Sequence, residues 1–412
     1  MMSMNPRWQA GIPGTPAIRV KPPNPLYVDT VIGTDQGTGS LSAPLLSLDA
    51  ARLMCAGLPD YVIKVHAPLE TPLRQEVVYE STASLRIEGM TANDPWYNYG
   101  SEVVAGWTLV SGGIYSRTMV DWTLIQLGVV TTMFELVGDR QFQRKLLPNT
   151  TTPTTPAAGE LGYVGGVLYV HLVGDVDPNL HVIEVAKRNT ALRTRGKGSL
   201  TVRDMTGRYF LSAGVQNGLA DNPAGTGNLI VEDCLVEYSA NNGIATAGQS
   251  ELTTCTRVKA YRCANDGFNL HATSGGQTMV LNNCEGSYNG DLAGQSAQGA
   301  SNHEATTLII NGGRFNYNVS GGMVVINTAR CDIHGDTVWG PVMMSDNMRL
   351  GNTAGAISNQ GGVAWMDTSV GTVTGSVTVR NGQGVGVRRA TLAVVTGLSN
   401  ITSTNNALPD AA

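Results

Sequence analysis

Three stretches of this chain lie on one another without a gap. They are Glu232-Asp233-Cys234-Leu235-Val236-Glu237-Tyr238-Ser239-Ala240-Asn241-Asn242-Gly243-Ile244, Thr256-Arg257-Val258-Lys259-Ala260-Tyr261-Arg262-Cys263-Ala264-Asn265-Asp266-Gly267-Phe268, and Asn311-Gly312-Gly313-Arg314-Phe315-Asn316-Tyr317-Asn318-Val319-Ser320-Gly321-Gly322-Met323. Each reads as strand, turn, strand. Val202-Arg203-Asp204-Met205 running to Asn217-Gly218-Leu219, and Asn282-Asn283-Cys284-Glu285-Gly286-Ser287-Tyr288-Asn289, follow the same pattern more loosely. Met205, Cys234, Val258, Cys284 and Gly313 then share one column, 24 to 29 residues apart. A period of that length marks a solenoid or an array. The residue after each Gly (Leu219, Ile244, Phe268, Met323) is expected to turn inward and stack on its equivalents. The Asn-Asn-Gly, Asn-Asp-Gly and Ser-Gly-Gly corners are expected to supply the positive φ of a sharp bend.

Composition agrees. The 412 residues include 50 Gly and only 14% charged residues, too few for long amphipathic helices. Leu is too sparse for leucine-rich repeats, and no Trp-Asp signature marks propeller blades. The expected fold is all-β, a right-handed parallel β-helix with a short N-terminal capping helix. The helix is expected within Ala43–Met54, capped by Ser42 ahead of Pro44. Four regions are expected: a Pro/Gly-rich peptide at 1–25, a candidate docking arm; capping helix and first coils at 26–95; elaborated coils or an insertion at 96–198; and regular coils with a C-terminal closure at 199–412.

Several function classes are excluded. The net charge is −5, and no large Lys/Arg cluster suggests a nucleic-acid partner. No apolar run reaches membrane-span length. The six cysteines lack zinc or redox spacing and read as reduced core residues. No Gly-Lys-Ser/Thr loop exists for phosphate, and no cofactor or metal is expected. The start, Met1 to Trp8, lacks the apolar stretch of a secretory signal. That favours release by lysis, as for a virion component.

Chemistry is expected on the column that holds His271 and His303. Phe268 and Leu270 point inward by strand alternation, so Asn269 and His271 point outward. Ser301 and His303 do the same one coil along, and Ala247 and Ile326 flank the pair. One histidine can act as acid or base near neutral pH while the other binds a carboxylate or hydroxyl. Glu304, Asp266 and Asp291 are candidates to orient a histidine or to form the carboxylate pair of glycoside hydrolysis. A solvated polar ladder is the competing reading. A second group, Arg257, Lys259 and Tyr261, alternates along one strand beside Arg262. It would suit β-elimination of a uronic acid, which needs a base and positive charge at an enolate-like intermediate. Trp96 and Trp107, near Tyr97 and Tyr99, are candidates to stack on sugar faces; packing is the competing reading.

The chain resembles the pectate-lyase-like β-helix superfamily, including phage tailspike depolymerases. The resemblance rests on Tyr27-Val28-Asp29 with Gly33-Thr34-Asp35, on the capping segment Ala43 to Ala51, on the corners at 241–244 and 265–268, and on Leu168-Tyr169-Val170 with Asp177-Pro178 and Val182-Ile183-Glu184. It implies a glycan-active β-helix at a virion tail or outside cells, a polysaccharide ligand and a homotrimer, with residues 1–25 meeting other tail proteins. The Asp-rich calcium cluster of pectate lyases has no match here. The leading expectation is a tailspike-like protein that binds and cleaves a bacterial surface polysaccharide. A secreted polysaccharide lyase or glycoside hydrolase, and a non-catalytic glycan-binding or structural β-helix, are the alternatives.

Overall fold

The computed structural model describes residues 21–92, 94–119, 133–137, 142–148, 151–218, 227–248, 251–272, 275–290, 297–345, 361–380 and 386–404. The expected docking arm thus lies almost wholly outside the described residues. The fold is all-β with long parallel sheets. Each repeat of the chain lays down three strands, and each strand pairs in parallel with its equivalents before and after. Three ladders result.

The first ladder runs through Tyr61–His66, Leu85–Gly89, Leu200–Arg203, Leu229–Glu232 and Leu252–Thr256. It continues through the first halves of Thr278–Ser287 and Thr307–Phe315 to Arg330–Gly335. The second takes Trp96–Tyr99, Met205–Arg208, Leu235–Glu237, Lys259–Tyr261, the second halves of those two long strands, Val342–Met344 and Val377–Arg380. The third takes Thr190–Thr194, Ala213–Asn217, Asn242–Thr246, Phe268–Leu270, Gln298–Asn302, Gly321–Val325 and Gly361–Trp365.

The interior follows from this register. Val202, Val231, Cys255, Leu281, Ile310 and Ile333 form one buried row. Val215, Ile244, Phe268, Ala300, Met323 and Val363 form another. Val215, not Leu219, occupies that row; Leu219 lies outside the described residues. Each large apolar side chain in such a row contributes roughly 1.5–3 kcal/mol. All six cysteines are buried free thiols. Burial pushes Cys234, Cys263 and Cys284 up to about 12, away from the reactive thiolate.

The corners work differently from expectation. Gly243, Gly267, Gly299, Gly322 and Gly362 form one column, and none lies at positive φ. They are small because the next strand of their own ladder and the second ladder both press on them. A Cβ on Gly299 would sit 2.6 Å from the Gly286 carbonyl and 2.8 Å from that of Gly322. The left-handed bends fall on other residues of the corners, most of them non-glycine. Asp204, Asp233, Arg257 and Asn283 turn the chain from first to second ladder at φ near 48–60°. Tyr209, Tyr238, Arg262, Tyr288 and Tyr317 turn it from second to third at φ 52–63°.

The N-terminal helix is Leu48–Met54. Its cap is Ser47 rather than Ser42: the Ser47 hydroxyl accepts from the Ala50 N–H. Asp35 in turn accepts from the Leu46 and Ser47 amides and the Ser47 hydroxyl, so the Gly-Thr-Asp turn fixes the helix start. Between the second and third ladders, strands from Ser101–Val103 to Val182–Ala186 build a separate eight-stranded, mostly antiparallel sheet. Buried Glu184 ties it to the body of parallel ladders through a bidentate Arg74 pair at 2.7 and 2.8 Å.

Candidate functional site

The third ladder carries the histidines. Asn269 pairs with Ser301 in register. Two residues on, the His303 amide donates to the Leu270 carbonyl, which sets His303 beside His271. Their ring centroids lie 5.4 Å apart at 45°. Ala247 and Ile326 occupy the flanking positions.

The two histidines differ. The His271 side chain is 61% exposed. Its Nδ1 lies 2.6 Å from Glu304 Oε2, which also accepts from the Ala272 amide. Glu304 sits at φ 53° and donates its own amide to Asn327, so the carboxylate is fixed by the turn as well as by the imidazole. A carboxylate on Nδ1 holds the proton there and leaves Nε2 as the basic nitrogen. His303 is largely enclosed, and its Nε2 has no hydrogen-bond partner among the described residues. Burial lowers its pKa, the nearby His271 adds to that, and the carboxylates of Asp266 and Glu304 oppose it. The ring is therefore neutral near pH 7.

Asp266, Asn269 and Ser301 require correction as surface groups. All three are buried. Asp266 accepts from the Gln298 amide at 2.8 Å, from Ser301 Oγ at 2.5 Å and from Asn269 at 3.2 Å, and Asn269 also donates to Ser301. Burial raises the Asp266 pKa while those three donors restrain it. The group closes the turn beneath the histidines; it does not face a polymer. Asp291 lies outside the described residues.

The second sequence group is divided. Lys259 and Tyr261 do share the outer face of one strand. Arg257 sits at the left-handed corner before it and makes a two-pronged pair with Asp233, at 2.6 and 2.7 Å, so its charge is already matched. Burial, then the neighbouring Glu285, raises the Tyr261 phenol far from neutral pH. The trio expected for β-elimination is not assembled. The tryptophans are also corrected. Trp96 is fully buried in the core between the parallel ladders, its indole donating to the Arg203 carbonyl, and Trp107 is buried in the inserted sheet with its indole on the Val104 carbonyl. Neither presents a face to a sugar.

The sequence reading missed a cleft of about 340 Å³ on the outer face of the second ladder. Glu285, Tyr288, Arg314, Tyr317 and Arg380 line it. Its tyrosines stand in the alignment at the corner, one or two places after the second-ladder strand.

Two solved structures share the fold. One is XylC in complex with xylose, at TM-score 0.57 and 13% identity over 90% of this chain and 68% of that one. The other is a glycoside hydrolase, at TM-score 0.56 and 10% identity over 93% and 97%. The tailspike of Acinetobacter baumannii bacteriophage AP22, in complex with capsular saccharide, also matches, but its TM-score of 0.19 carries no argument. No protein-family model matches the chain. No curated protein matches it either.

Proposed function

We propose that the chain is a right-handed parallel β-helix of the tailspike kind that binds a bacterial surface polysaccharide and cleaves its glycosidic bonds. The observation that carries the reading is the His271–Glu304 dyad. Glu304 holds the His271 proton at Nδ1, and the exposed ring offers Nε2 to take a proton from an attacking water. Neutral His303, one rung away, packs its ring against His271 with Nε2 buried and unpaired, and so backs the dyad from its enclosed side. Hydrolysis is favoured over β-elimination, because Arg257 is neutralised and the Tyr261 proton is held tightly. The fold shared with a glycoside hydrolase supports the same side. The homotrimer and the virion tail belong to this proposal through the resemblance alone, and light scattering on the purified chain tests the first.

The test is digestion of a panel of bacterial capsular polysaccharides. Reducing ends without ultraviolet absorbance from unsaturated uronates are expected. His271→Gln is expected to lower the rate by about 10²–10⁴, the usual contribution of a positioned acid or base. A second reading is a protein that only binds glycan. The enclosure of Asp266 favours it, since hydrolysis commonly uses two accessible carboxyl groups. Binding without product release would select it.

A further inference from the structure

We infer that the cleft on the second ladder is a binding site for an acidic saccharide, separate from the histidines. This rests on the glycan-binding reading above, but not on cleavage.

The first observation is a strip of aromatic rings. Tyr99 and Tyr209 meet edge to face at 5.2 Å, Tyr209 and Tyr238 lie 6.0 Å apart, and Arg262 stacks over both Tyr238 and Tyr288 at 5.6 and 6.0 Å. Tyr288 and Tyr317 then stack at 5.0 Å and 17°. Rungs are about 4.8 Å apart, so five steps extend roughly 24 Å along the tube. The strip is closed at one end, where Tyr99 and Tyr209 pack with Leu69 and Val182, the latter from the inserted sheet. It is open at the other, where Tyr288 is 44% and Tyr317 40% exposed. Stacked on one another and under Arg262, these rings offer a sugar chain their outward edges and hydroxyl groups.

The second observation is charge. The arginines of the neighbouring rungs carry carboxylate partners: Arg203 on Glu232, Arg208 and Arg262 on Glu237, Arg257 on Asp233, Arg330 on Asp332. Arg314 and Arg380, both exposed, form no ion pair among the described residues, and both line the open end of the strip. A guanidinium binds a carboxylate in a two-pronged geometry. Two unmatched guanidinium groups beside stacked rings fit a chain of sugars that carry carboxylates, and Glu285 on the same wall would reject an anion placed one rung too far.

The experiment is retention on a printed panel of uronate-bearing and neutral bacterial polysaccharides, with dextran as the neutral standard, at two salt concentrations. The wild-type chain is expected to retain uronate-bearing members and to lose them at high salt. Arg314→Gln with Arg380→Gln is expected to weaken that binding at least tenfold and to flatten its salt dependence. Tyr288→Asn, which tolerates the left-handed corner, is expected to weaken it severalfold without changing salt dependence. Unchanged thermal melting of each variant shows that the fold is intact. Retention of neutral members only, or uronate binding that both variants leave unchanged, overturns this inference and leaves the glycan reading standing. Retention of no glycan at all overturns both.

Discussion

The outer faces of the second and third ladders are built from the same strand register, yet one is open and the other enclosed. Outward positions along the middle of the third ladder are Gln216, Ala245, Asn269, Ser301, Val324 and Ala364, all buried. Outward positions on the second include Lys259, Glu285, Arg314, Met343 and Thr378, all partly or fully exposed. The third-ladder face reaches solvent at the two ends of the ladder, at Arg193 and Arg388, and past the ends of the middle strands, at His271. The contrast separates two jobs. The enclosed face positions a small polar constellation from beneath; the open face offers length, rings and charge.

The sharpest way to break this comparison is to place the same charge on both faces. Val324→Arg buries an unpaired guanidinium and is expected to cost at least about 3 kcal/mol by urea unfolding. Met343→Arg, on the open face, is expected to stay within about 0.5 kcal/mol. Equal costs would mean that the faces do not differ. Next in size is Asp266→Ala. It strands the Gln298 amide and the Ser301 hydroxyl as buried donors, while Asn269 keeps its bond to Ser301, and a loss of about 2–3 kcal/mol is expected from calorimetry. A loss below about 0.5 kcal/mol would show that Asp266 is not the anchor.

A smaller effect is expected with pH. Burial depresses the His303 pKa, so the unfolded chain takes up the proton first. The stability that neutral His303 contributes is complete above about 6.5, the free-imidazole value, and is lost as pH falls through its folded value. Asp266, raised by burial, works in the opposite sense: its contribution is present below about 3.9 and is lost as pH rises through its folded value. The useful readout is therefore the melting temperature of wild type minus His303→Gln, which should shrink between about pH 7 and pH 5. A difference that grows would contradict the enclosure of His303. The smallest effect belongs to the open face. Arg257→Gln breaks a half-exposed pair with Asp233 and is expected to cost about 0.2–1 kcal/mol, less in high salt.

The sequence made the inward rows legible, because a period of two places every second residue against the next rung. It also placed His271 beside His303, with Ala247 and Ile326 as neighbours, since one shared Gly fixes the register of a whole strand. It did not show that Asn269 and Ser301 are enclosed. Alternation tells which residues leave the core and says nothing of what lies over them. Arg257 was read onto the Lys259 face because a single left-handed corner residue shifts the alternation by one. Trp96 looked like a sugar platform because aromatic content alone does not distinguish a core ring from an exposed one. The tyrosine strip stands in the alignment at 238, 288 and 317, but a turn position in a sequence carries no sign of which rings it brings together.

The most direct measurement of the central claim is reducing-end release from a panel of bacterial capsular polysaccharides by wild type, His271→Gln and Glu304→Gln. Release by wild type, reduced by about 10² or more in both variants with the fold intact, is the expected result. Binding and cleavage of no panel member, or equal release by all three proteins, would contradict it.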